Sequence, residues 1–235
     1  MSSDRPALTG ISSMASRQVL TRLAEEWTAK SGQHIQLTAV GGVDAAKRVQ
    51  AGEGFDLVFL ASDALEKLHA QGHIAAGSIR PLMRSGVAVA VQQGDTLPDI
   101  TTEASLKAAV LAAPSIGYST GPSGTALLAL FAQWGLLEQL KPRLIQAPPG
   151  VPVAQLLAQG EVALGFQQLS ELLHVPGIVI AGSMPASIQI ETIFAGAVAA
   201  TCKDPQRQSQ AKAALDFMAS PQAEAAIAAQ GMRPA

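Results

Sequence analysis

Seven residues, Phe55-Asp56-Leu57-Val58-Phe59-Leu60-Ala61, form a near-continuous apolar run closed by Gly54 before it and Ser62-Asp63 after it. A run this short and this apolar reads as a strand covered on both faces, which calls for a parallel sheet with helices on each side. Its flanks agree. Residues 34–40 alternate in polarity, Gly41-Gly42 turns the chain, and residues 43–51 read as a helix. After the run, Ser62 is expected to cap a helix extending to about Gln71.

The alternation continues through the chain. Val19, Leu20, Leu23 and Trp27 mark an amphipathic helix over residues 14–30, with strand-like sequence just before it at Ala7-Leu8-Thr9. Strands are expected at 86–93, 115–119, 144–147, 162–166, 178–180 and 188–200. Helices are expected at 103–112, 124–134, 153–159, through Leu173, at 205–219 and at 221–230, the last opened by Ser220-Pro221. The order implies an α/β protein of two lobes, each a mostly parallel sheet flanked by helices. The crossings near 84–93 and 188–200 divide it into lobe 1, residues 1–84 with 196–235, and lobe 2, residues 85–195, with a ligand cleft expected between them.

Charge narrows the function. Lys+Arg number 16 and Asp+Glu 18, a net charge of -2, and charged residues are 14% of the 235. No cluster of basic residues offers a nucleic-acid surface. The uncharged stretch 108–137 is broken by Pro114, Gly117, Gly121, Pro122 and Gly124, so it reads as soluble elements and the chain as not membrane-embedded. The segment Met1-Ser2-Ser3-Asp4-Arg5-Pro6 lacks the apolar core of a secretory signal. A periplasmic location is expected if a leader has been removed, and a cytoplasmic one otherwise. The single cysteine, Cys202, reads as a structural thiol.

Small and hydroxyl residues gather where strands should give way to helices: Gly10-Ile11-Ser12-Ser13, Gly41-Gly42, Ser119-Thr120-Gly121-Pro122-Ser123-Gly124 and Gly150-Val151. Helix amino termini there present unpaired N–H groups, an anion site that needs no arginine. Gln167-Gln168 adds two amides at a similar junction. No phosphate-loop lysine and no Gly-x-Gly-x-x-Gly is present, and no pattern calls for a cofactor or a metal; His69 and His73 are separated by Gly72, where the helix should end. Gly117-Tyr118-Ser119-Thr120-Gly121 matches a nucleophile elbow on paper. Pro122 is expected to delay the helix, however, and Glu171 and His174 are too close in sequence to complete a triad, so Ser119 reads as a cleft residue. Trp27 and Trp134 fall on apolar helix stripes and are expected in the core.

Several segments together resemble the type II periplasmic-binding-protein family, and within it the molybdate-binding branch. They are Ser12-Ser13 opening the first helix, Ala46-Lys47-Arg48-Val49-Gln50-Ala51-Gly52 leading into Phe55-Asp56-Leu57-Val58, Ala61-Ser62-Asp63, Gly121-Pro122-Ser123-Gly124, Gly165-Phe166, and Leu215-Asp216-Phe217-Met218-Ala219-Ser220-Pro221 with Gly231-Met232. The resemblance implies oxyanion contacts at Ser13, at Gly42 or Val43 where a second serine is expected, at Ser123 and at Val151, with Gln168 in the place of a tyrosine. It thereby implies a small anion as ligand, a carboxylate in preference to molybdate, and an ABC-transporter permease as partner. Proteins similar to this branch include isomerases of unsaturated tricarboxylates such as aconitate, which need an acid or base; Asp44, Lys47 and Tyr118 are the nearest candidates to the turns.

Overall fold

The computed structural model describes residues 6–235; the amino-terminal segment discussed above lies, up to Arg5, outside the described residues. Among the described residues ten strands form: β1 (Leu8–Ser13), β2 (Ile35–Val40), β3 (Leu57–Ala61), β4 (Arg80–Gln92), β5 (Ile116–Tyr118), β6 (Leu144–Gln146), β7 (Leu164–Gln168), β8 (Ile178–Ser183), β9 (Glu191–Val198) and β10 (Arg233–Pro234). The first helices are α1 (Arg17–Ser31), α2 (Gly42–Gln50), α3 (Ser62–Ala70), α4 (Glu103–Ala112) and α5 (Pro122–Gln133). The chain continues with α6 (Leu137–Leu140), α7 (Val153–Ala158), α8 (Leu169–Leu172), α9 (Pro205–Met218) and α10 (Glu224–Ala228). This is the expected α/β architecture. The stretch 108–137, apolar as it is, is divided among α4, β5 and α5, and no helix among the described residues is long and apolar enough to cross a membrane.

Two compact units emerge: unit 1, residues 1–84 with 193–235, and unit 2, residues 85–192. In unit 1, β1 pairs in parallel with β2 and β3, and β9 runs antiparallel along β3. Alternate residues serve opposite faces: Leu8, Leu57 and Phe59 pack with α1 and α9, while Ile11, Val58 and Leu60 pack with α2 and α3. Gly10 and Gly196 are needed for close approach. A Cβ on Gly10 would stand 2.7 Å from Leu37 Cδ2, and one on Gly196 2.4 Å from Leu215 Cδ2.

A charged clamp closes unit 1. Asp204 caps α9 by accepting from the N–H groups of Gln206 at 2.8 Å and Arg207 at 3.0 Å. The cap aims Arg207 at Asp56, which it grips with both arms, Nε at 2.9 Å from Oδ1 and a terminal nitrogen on Oδ2, while also reaching the Ala7 carbonyl at 3.0 Å. The Thr9 N–H donates to the same carboxylate at 2.8 Å. Burial pushes the Asp56 pKa up, yet the Arg207 and Thr9 hydrogen bonds outweigh it and hold the carboxyl below its usual range. Cys202 is buried in this core, and burial, then Asp56, push its thiol up to about 12.

In unit 2, β5 pairs in parallel with β6 and β7, and β4 runs antiparallel to β7 and β8. Val87, Val89, Phe166, Leu127 and Phe131 fill the face under α5; Ala88, Ala90, Val153 and Leu157 fill the face under α7.

Five sequence expectations need correction. Gly10, Ile11 and Ser12 belong to β1 and not to the turn after it. Ser62 is the first residue of α3, with Ala61 in the cap position. Pro122 does not delay the helix: it occupies the first position of α5 behind Gly121, where its missing N–H costs nothing. β7 runs on past Phe166 to Gln168, so the two glutamines, though at the junction with α8 as expected, are buried residues of the strand's end. Trp27 and Trp134 are half-buried, and the Trp134 indole reaches outward to donate to Glu103 at 2.8 Å.

Candidate functional site

The donor edge of unit 1 lies where β1, β2 and β3, running the same way, all end. Ser13 is the last residue of β1 and 7% exposed. A single 3-10 turn, Met14–Ser16, separates it from α1, and Ser16 Oγ donates to the Ser13 carbonyl at 3.2 Å. Ser13 Oγ lies 3.2 Å from Ser16 Oγ, so its hydroxyl is held without being consumed by a backbone group. Gly42 comes next to it: a Cβ there would lie 3.6 Å from Ser13 Cβ. Gly41 precedes α2 in the cap position, and the first intrahelical bond runs from Ala45 N to Gly41 O at 2.8 Å, which leaves the N–H groups of Gly42 and Val43 without an intrahelical acceptor. Val43 presents an exposed isopropyl group, Asp44 is half-buried beside it, and Lys47 is exposed. Ser12 points to the other face of β1 and is wholly buried, and its hydroxyl has no partner; the same holds for the hydroxyl of Ser62.

Charge separates these helix ends. The first turn of α2 contains Asp44 and that of α3 contains Asp63, each opposing a bound anion, whereas α1 has no acidic residue in its first turn.

Unit 2 has its own donor edge at the ends of β5, β6 and β7. Gly121 caps α5, which also lacks an acidic residue in its first turn, and Pro122 at the first position places Ser123 where its N–H has no intrahelical acceptor. Ser123 is buried, and its Oγ lies 3.2 Å from Ser119 Oγ. The Gly124 N–H is engaged by the Gly121 carbonyl at 3.0 Å, so Gly124 serves by its size: a Cβ would stand 1.9 Å from the Ser119 carbonyl and 3.2 Å from the Tyr118 ring. The Val151 N–H donates to the Pro148 carbonyl at 3.0 Å.

The two glutamines face opposite ways. Gln167 accepts from the Ala154 N–H at 3.1 Å, on the α7 side. Gln168 donates through Nε2 to Thr192 Oγ1 at 2.8 Å, on the α5 side, and its Oε1 is buried without a partner. Burial raises Glu171 to a pKa of about 7, against a smaller lowering by its hydrogen bond with Gln167. Sequence reading considered Glu171 only as a triad partner; burial of a carboxyl is a tertiary property that no local pattern announces. No hydrogen bond among the described residues joins Ser119, Glu171 and His174 into a relay. No group of three or more His, Cys, Asp or Glu among them could hold a metal ion.

Known proteins share this framework. An aconitate isomerase of a Pseudomonas species is 35% identical over 235 residues, spanning 97% of this chain and 87% of that protein. The periplasmic molybdate-binding protein of Azotobacter vinelandii superposes with a TM-score of 0.79 at 20% identity, over 96% of this chain and 98% of that one. A tungstate-binding protein of Desulfovibrio alaskensis superposes with a TM-score of 0.69 at 18% identity, over 95% and 94%. At such identities the two structures speak for the fold. The model of a family described as bacterial extracellular solute-binding proteins matches residues 8–233, a span that takes in both donor edges, the Asp56–Arg207 clamp and all but the last residue of β10. The chain belongs to the bacterial extracellular solute-binding protein family.

Proposed function

We propose that this chain binds a small organic anion carrying more than one carboxylate, through backbone N–H groups and neutral side chains. The observation that carries this reading is the set of polar atoms buried without partners near the strand ends: Ser12 Oγ and Ser62 Oγ in unit 1, Gln168 Oε1 in unit 2. Burying an unpaired polar group costs about 1–3 kcal/mol, a cost that a ligand group offsets by pairing it. Neither Gly42 nor Val43, where the molybdate-binding branch is expected to place a second serine, offers a hydroxyl, and the exposed isopropyl of Val43 favours a ligand with a carbon skeleton over an inorganic oxyanion. Membership of a solute-binding family supports capture of a solute, and delivery of that solute to an ABC-transporter permease is the role we propose for it.

Alanine at Ser13 or at Ser123 is expected to weaken binding of trans-aconitate by about 1.5–3 kcal/mol, the range for a hydrogen bond to a charged group. Titration calorimetry measures it. Unchanged affinity in both variants would move the site elsewhere.

A second reading, isomerisation of the bound anion, is favoured by the full-length similarity to an aconitate isomerase and by Glu171. A carboxylate takes the allylic proton of an unsaturated tricarboxylate, the double bond shifts by one carbon, and the proton returns to the carbon that was vinylic. Glu171, in the first turn of α8 directly after Gln168, is nominated for this role in place of the groups read from sequence. Lys47 is exposed, Asp44 lies at a helix end, and Tyr118 packs its ring toward Gly124. Trans-aconitate incubated in deuterated water should yield the cis isomer, with deuterium at the allylic carbon wherever the proton exchanges before its return. Binding without any turnover would leave solute capture alone.

A further inference from the structure

A second orphaned polar atom belongs to β4, the strand that pairs with β7 at Gln168. Ser85 is 1% exposed and its hydroxyl has no partner. In the β4–β7 ladder Val87 stands opposite Gln168, so their side chains share a face; Ser85, two residues before Val87, shares it too. Diagonal neighbours of this kind lie about 7–8 Å apart, near enough for one small group to reach both. The same face carries α5, whose Leu127 and Phe131 pack with Val87 and Phe166, and α5 begins with the Ser123 N–H.

Thr192 completes the arrangement. Its hydroxyl lies 2.8 Å from the Gln168 amide and can either accept or donate. Half a turn of the amide keeps that bond intact, with the Thr192 hydroxyl now donating to Oε1, and presents the Gln168 N–H₂ in place of the carbonyl. A carboxylate would then accept from the Gln168 amide and from the Ser85 hydroxyl. Every polar atom of the three residues is then paired, and two orphaned buried atoms disappear.

We infer that Ser85 and the Gln168–Thr192 pair form a carboxylate-binding subsite of unit 2, an inference that rests on the reading of the ligand as an organic polyanion. Ser85 is a direct donor in it. Thr192 is a positioning residue that acts through the orientation of the amide.

The test is calorimetry of the full chain with trans-aconitate. Ser85→Ala, which removes one atom, is expected to weaken binding about 10- to 100-fold, the loss of one hydrogen bond to a charged group. Thr192→Val should weaken it about tenfold and Thr192→Ser should restore it, each affinity being read at a temperature where the unliganded variant is fully folded, because Thr192→Val also leaves the buried Gln168 amide without its acceptor. Gln168→Glu, which sets a carboxylate against a carboxylate, should abolish binding. Wild-type affinity in both Ser85→Ala and Thr192→Val would overturn the subsite while the polyanion reading stands. So would a Thr192→Ser variant as weak as Thr192→Val. Absence of carboxylate binding by the wild-type chain would remove that reading and the subsite with it.

Discussion

Replacing Arg207 by leucine is expected to lower the unfolding free energy by about 3 kcal/mol, the lower end of the range for breaking a buried ion pair, since the arginine retains some solvent contact. The loss arises on Asp56. Without the guanidinium, a 7% exposed carboxylate keeps only the neutral donors of Thr9 and Cys202, and burial then drives its pKa upward. The pH dependence follows from the sign of the shift. Because the folded pKa is held low, the wild-type clamp stabilises fully above the ordinary carboxylate range and loses that contribution as pH falls through the depressed value. The difference between wild type and Arg207→Leu should therefore be largest at neutral pH and shrink below about pH 4. Urea unfolding at pH 7 and pH 3.5 measures it. An equal difference at both would assign the loss to packing and not to charge.

Glutamine at Glu171 is expected to leave trans-aconitate affinity within about twofold and to reduce isomerisation by about 10²–10⁴-fold, the usual contribution of a positioned acid or base. In the isomerase reading the ionised form is the base, so any turnover by the wild-type chain should rise with pH and level off above about 7. The same residue predicts a stability effect of opposite slope to the clamp. A carboxyl whose folded pKa is raised stabilises fully below its unfolded value and loses that contribution as pH rises towards and through 7. Glu171→Gln should accordingly be more stable than wild type at pH 8 and not at pH 4. Isomerisation at the wild-type rate in this variant would return the proton transfer to another group.

Local patterns carried most of this. The apolar run at residues 55–61 and the Gly41-Gly42 turn placed β3 and α2 within two residues of their bounds, because burial on two faces and a change of period leave marks on adjacent residues. β4 was harder. It begins at Arg80, six residues before the apolar stretch at Gly86, since Met83 and Arg84 pair with Pro234 and Arg233 at the far end of the chain. A two-residue strand such as β10 has no period to detect. The proposed site divides in the same way. Ser13 and Ser123 were visible because hydroxyls beside glycines at a strand end signal a helix amino terminus. Ser85 and Thr192 were not, because only the β4–β7 register and the hydrogen bond to Gln168 bring them into consideration. Glu171 was present in the sequence, but its proton affinity comes from burial beside Gln167.

Calorimetric titration of the wild-type chain with trans-aconitate, repeated in the presence of excess molybdate, reaches the central claim directly. The account predicts saturable binding of the carboxylate that molybdate does not displace. Tight molybdate binding with no heat from any carboxylate would contradict it.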